Sequence, residues 1–132
     1  MTNIVFVDTS VIYALLDRDD AGYRPAAEAF RRFLEADLVT HAYVVVEAVS
    51  LVRRRLGPDA AARLVDEFLP ALRMKPVDSN LHDQAVRAFR AAVDRSVSLV
   101  DWTSFLFMRV EGIETALALD ADFAAAGFRV VP

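Results

Sequence analysis

IVFVD, residues 4–8, is a run of four apolar residues closed by a carboxylate, with Thr9 and Ser10 directly after it. An apolar run without alternation reads as a strand buried on both faces, and such strands belong to parallel sheets covered by helices on either side. Asp8 has two readings at this point. It caps the helix that follows, or the strand delivers it to the carboxyl edge of the sheet, where open α/β sheets bind their ligands.

The chain continues in the pattern that IVFVD implies. Helices are predicted over 10–18 and 22–36, with Pro25 in a first turn, followed by a short strand in DLVTH. AYVVVEAVSLVRRRL is a long helix that stops at Gly57–Pro58. DAAARLVDEFLPALR is helical with a bend at Pro70, and MKPV is a short strand. SNLHDQAVRAFRAAVDR is a helix with Leu81, Ala85, Phe89 and Ala92 on its apolar face. SVSLVD leads into a helix through Phe105 and Met108, TALALD is a strand over 115–120, and a helical turn precedes a last strand in FRVV. Strands alternating with helices imply right-handed crossovers and an α/β fold with a central parallel sheet.

Composition narrows the function. At 132 residues the chain has the size of one domain, and at 55% hydrophobic it can bury a real core. No apolar run approaches the ~20 residues of a membrane span, and no signal-peptide pattern opens the sequence. There are no cysteines and only two histidines, His41 and His82. That excludes thiolate zinc, iron–sulfur and multi-histidine sites, and it suits a reducing cytoplasm. The net charge of -4 argues against coating nucleic acid by bulk charge, though not against a local arginine grip.

The acids carry the chemistry. Asp8 closes the first strand and Asp120 closes TALALD, so neighbouring strands would bring the two together; Asp122 leaves the sheet in the same direction. Asp101 opens a helix, and Ser98-x-x-Asp101 matches a capping box. Glu47 interrupts an apolar helix, sharing its face with Tyr43, Ser50 and Arg54. Ser10 and Ser104 read either as cap and packing residues or as hydroxyls that orient Asp8 and Asp101. Clustered carboxylates repel and take up protons unless a cation sits among them. Hard oxygen ligands favour Mg2+ or Mn2+ over zinc. Such a site suits phosphodiester hydrolysis, in which one or two ions activate water and stabilise the leaving oxygen.

VDTS, the glutamate within the third helix, SLVDWTSF and ALDADF together resemble a PIN-domain ribonuclease, and most closely the VapC toxins of type II toxin–antitoxin pairs. The resemblance covers essentially the whole chain, as one PIN domain over 1–132. It implies a three-layer α/β/α sandwich and an Mg2+- or Mn2+-dependent endoribonuclease leaving a 5′-phosphate and a 3′-hydroxyl. Carried over, its acidic site is Asp8, Glu47, Asp101 and Asp120, with Asp122 as a further acid near the metal and Ser10 and Ser104 as supporting hydroxyls. It also implies a homodimer and a VapB-type antitoxin that wraps the toxin and inserts an arginine into the acidic site.

Beyond the acids, Arg53, Arg54 and Arg55 fan over about 200° of one helix. Arg54 faces with Glu47, about 10 Å along the axis, and is a candidate contact for RNA phosphates or for antitoxin acids. Phe6, Phe30, Phe33, Phe68, Phe89, Phe105 and Phe123 read as core, whereas Tyr13 and Tyr23 are candidates for base contacts. Two other functions fit parts of the pattern. A metal-dependent phosphatase would place a second aspartate at DxD spacing, where this chain has Asp8-Thr9-Ser10. A non-catalytic binding module would use its acids only as caps, and metal would not stabilise it.

Overall fold

Ile4–Val7 forms strand β1 of the computed structural model, which describes residues 3–132. Val5, Phe6 and Val7 have no exposed surface, so both faces of β1 are covered, as an unalternating apolar run requires. On one side β1 pairs with β2 (Asp37–His41), and β2 with β3 (Arg73–Lys75); on the other it pairs with β4 (Thr115–Leu117), and β4 with β5 (Arg129–Val131). All four pairings are parallel.

Helices α1 (Thr9–Leu16) and α2 (Tyr23–Arg32) join β1 to β2, and α3 (Ala42–Leu56) and α4 (Pro58–Arg63) lead from β2 towards β3. Helices α5 (Ser79–Ala91) and α6 (Leu99–Glu111) cross from β3 to β4, and α7 (Asp122–Ala125) joins β4 to β5. The steps from β1 to β3 run one way across the sheet and those from β3 to β5 run the other way. Right-handed crossovers therefore put α1–α4 on one face and α5–α7 on the opposite face. The sheet order reverses at β1 and β4, whose carboxyl ends lie side by side.

Several boundaries differ from the sequence pattern. The strand expected over 115–120 ends at Leu117: Ala118 N–H still reaches Val131 O at 3.1 Å, but Leu119 N–H is diverted to a side chain, Ser10 Oγ. After α4 the chain passes through a wide turn at Leu64–Phe68 and a 3₁₀ turn at Leu69–Ala71, where Pro70 offers no N–H to an α-helix. Burial on α5 is confined to Leu81 and Ala85, so Phe89, expected in the core, stands 45% exposed one turn further on. Phe6, Phe105 and Phe123 do pack together between the sheet and α6–α7.

Candidate metal centre

The end of β1 is clamped from both sides. Thr40 Oγ1 on β2 donates to Val7 O at 2.9 Å, and Asp8 N–H donates to Leu117 O of β4 at 3.0 Å. Ser10 then links the two loops at the reversal point: its hydroxyl donates to Asp8 Oδ2 at 2.7 Å and accepts from Leu119 N–H at 3.0 Å. Asp8 Oδ2 also accepts from Ser10 N–H at 3.2 Å. Both readings of Asp8 therefore hold in geometry: it caps α1, and it sits in the crevice where the strand order reverses.

Asp101 lies in the first turn of α6 inside the expected capping box. Its N–H donates to Ser98 Oγ at 3.0 Å, and its Oδ2 accepts from Ser98 N–H at 3.2 Å. Asp120 stands in the loop after β4, its Oδ1 accepting from Asp122 N–H at 3.1 Å where α7 begins. These carboxyls feel one another. Burial pushes Asp8 up to about 7 against its Ser10 hydrogen bonds, and the charges of Asp120 and Asp101 push the same way. Asp101 is raised to about 6, first by burial and then by Asp120 and Asp122. Asp120 is raised as well, by burial and by Asp122. Three strands and helices thus bring Asp8, Asp101 and Asp120 into one electrostatic neighbourhood, with Asp122 beside the last two.

Glu47 is half-buried on α3 and makes no hydrogen bond or ion pair among the described residues. Nor do three acid or imidazole side chains, among those residues, stand together as a ready-made metal cage. The donor chemistry nonetheless suits a hard cation. The oxygens are all carboxylate, and Asp8 and Asp101 both use Oδ2 for their caps while Oδ1 has no partner among the described residues. A divalent ion there would offset the burial and the mutual repulsion that together raise these carboxyls.

Two expected contacts are not those observed. Ser104 does not orient Asp101: its hydroxyl faces His41 Nε2 at 2.8 Å and donates to Val100 O at 2.9 Å. Tyr13 is engaged within the chain. Its hydroxyl donates to Asp17 Oδ2 at 2.8 Å, and the Arg55 guanidinium covers its ring at 5.5 Å from the centroid. Arg54 is exposed and makes no ion pair among the described residues.

The PIN domain family model matches residues 5–129, the whole sheet except its outer margins. This chain is a member of the PIN domain family. Over 126 residues, 95% of each chain, it is 36% identical to the 23S rRNA-specific endonuclease VapC20 of Mycobacterium tuberculosis. The crystal structure of VapC20, described as a sarcin–ricin loop cleaving toxin, superposes with a TM-score of 0.87 at 35% identity, covering 97% of this chain and 99% of that one. FitAcB of Neisseria gonorrhoeae shares the fold at 21% identity, with a TM-score of 0.71 over 97% and 96% of the two chains. DNA-bound VapBC of Salmonella typhimurium does so at 16% identity, with a TM-score of 0.69 over 98% and 97%.

In this PIN domain the sequence pattern passed over two buried polar residues at the site's rear wall, Thr40 and His41, neither with any exposed surface. A signal was present: TH interrupts an otherwise apolar passage where a strand must hand over to a helix. A surface depression lined by Arg109, Gly112, Glu114, Phe128 and Arg129 lies at the amino ends of β4 and β5, away from the acids.

Proposed function

We propose that this PIN domain, a single unit over 1–132, is a divalent-metal-dependent endoribonuclease. In this reading it is the toxin of a toxin–antitoxin pair, acting in the cytoplasm on ribosomal RNA. The observation that carries the reading is the 36% identity, over 95% of both chains, to a 23S rRNA-specific endonuclease. The grouping of Asp8, Asp101 and Asp120 at the sheet's reversal point supports it independently.

Asp8, Glu47, Asp101 and Asp120 would hold Mg2+ or Mn2+, with Asp122 completing the acidic rim. When bound, the cation supplies positive charge to the scissile phosphate and lowers the pKa of the attacking water. Ser10 and Ser98 hold the Asp8 and Asp101 carboxyls in place through their Oδ2 atoms. One of the acids takes the proton as the water oxygen bonds to phosphorus in line. The bond to the 3′ oxygen breaks and that oxygen gains a proton, leaving a 5′-phosphate and a 3′-hydroxyl. Arg54, exposed on the face of α3 that carries Glu47, would meet a neighbouring phosphate. A VapB-type antitoxin, as in the VapBC complex that shares this fold, and the homodimeric state that the family resemblance implies complete the proposal.

The test is direct. Antitoxin-free protein is incubated with total RNA and with intact ribosomes in Mn2+ or Mg2+, beside Asp8→Asn, and the new 5′ ends are sequenced. Discrete cuts in 23S rRNA that need metal and vanish in the variant are expected. No cuts from folded protein, or cuts that survive in Asp8→Asn, would overturn the reading.

A further inference from the structure

His41 is the last residue of β2 and the N-cap of α3, and it has no exposed surface. Its Nδ1 accepts from the N–H groups of Tyr43 at 3.2 Å and Val44 at 3.4 Å. A nitrogen that accepts from two amides carries no proton, so the ring is neutral and its hydrogen is on Nε2. Nε2–H donates to Ser104 Oγ, whose own hydrogen goes to Val100 O. Each donor in this relay has an acceptor, and the order is fixed from end to end. Phe6 stacks on the ring at 5.7 Å, and Phe107 meets it edge-on at 5.3 Å.

The N-cap task alone needs only a short polar side chain such as serine or asparagine. Imidazole does more. Its Nδ1 holds the start of α3, whose layer covers one face of the sheet, while Nε2 reaches α6 on the other face. At the carboxyl edge of β2 it therefore bolts one helical layer to the other. Tyr43 makes a companion link, its hydroxyl lying 2.6 Å from His82 Nδ1 on α5. The two helices that His41 joins are those that carry Glu47 and Asp101. Glu47 lies about 9 Å along α3 from the cap, and Asp101 lies one turn before Ser104 on α6.

We propose that His41 is a positioning residue for the acidic centre: by holding α3 through Nδ1 and Ser104 through Nε2, it sets the spacing between Glu47 and Asp101. This rests on the metal-site reading given above. Groups hydrogen-bonded directly to metal ligands change metal affinity ten- to a hundredfold when removed, and His41, one hydrogen bond further back, belongs at the lower end of that range.

The variants are His41→Asn, which retains an acceptor for the α3 cap but cannot reach Ser104, and Ser104→Ala, which removes one oxygen and leaves the cap untouched. Mn2+ binding is measured by calorimetry on the full chain, and hydrogen exchange is followed in the metal-free protein. Each variant is expected to bind Mn2+ about tenfold more weakly, and the double variant no more weakly than either single one. Amides of the first turns of α6 should exchange faster in His41→Asn while those of Tyr43 and Val44 stay protected. Should His41→Asn fail to fold, Ser104→Ala carries both measurements. Wild-type Mn2+ affinity in the folded variants would overturn the proposal, as would unchanged α6 exchange. Wild-type protein that binds no Mn2+ would instead overturn the metal-site reading, and the exchange data would still decide whether His41 ties the layers.

Discussion

Asp8 and His41 are ionisable groups that the fold shifts towards the neutral form, and they respond to pH with opposite signs. Asp8 ordinarily ionises near 3.8 and is raised to about 7 by burial. Between those values the unfolded chain has released a proton that the folded chain keeps, so metal-free stability falls as pH rises, and the loss persists above 7. His41 is lowered from 6.5 to about 4 by burial, so its contribution rises with pH across that interval and is complete above it. Asp8→Asn keeps the cap and removes the carboxyl. In EDTA, the variant should match the wild type near pH 4 and exceed it by on the order of 2 kcal/mol at pH 8, read by thermal or urea unfolding. A gap that stays constant with pH would refute the assignment. Asp8 was legible in the sequence because an apolar run ending in a carboxylate is unusual. His41 was not, because its partner Ser104 is 63 residues away and local pattern carries no trace of that pairing.

Among the elements, the order of strands and helices followed from apolar periodicity and turn residues, whereas their ends were set by tertiary partners. β4 stops where Ser10 takes the Leu119 N–H, a bond across 109 residues that no local window contains. The junction between α3 and α4 was readable, since Gly57–Pro58 is a stop signal that the structure uses fully. Gly57 has φ +94° and ψ 176°, a conformation nearly reserved for glycine. No atom would obstruct a Cβ there, so the penalty in Gly57→Ala is purely torsional. That variant should lose about 1–3 kcal/mol in chemical denaturation while binding Mn2+ normally, because the junction lies at the far end of α3 from its cap. Ser10→Ala should cost less stability, about 1 kcal/mol, yet weaken Mn2+ binding, since Asp8 loses the hydroxyl that holds its carboxyl. Thermal shifts with and without Mn2+ separate the two patterns.

On the scale of the whole molecule, a chain of net charge -4 must bind a polyanion at an edge that already concentrates acids. The proposed cation resolves that conflict by reversing the local charge, and free cation should raise the melting temperature of the wild type but not of Asp8→Asn. In the proposed reading Arg54, exposed on α3, would supply the remaining attraction on that side. Arg54→Ala should reduce cleavage at limiting RNA with Mn2+ affinity unchanged, and the deficit should shrink as salt rises. Cleavage equal to wild type at low salt would remove Arg54 from the substrate path. The α/β class and the five parallel strands were readable from the alternation of elements. The precise meeting of the acids was not, because it depends on which strands become neighbours.

That neighbour relation has a consequence for biosynthesis. The centre joins position 8 to positions 101 and 120, and β1 is completed on its second side only when Val5–Val7 pairs with Thr115–Leu117. Contacts so distant along the chain form late. A polypeptide emerging residue by residue therefore displays Asp8 long before anything can make it part of a cutting edge. No fragment ending ahead of β4 contains Asp120, so in the proposed reading a chain interrupted during translation would be an inert product rather than an active one.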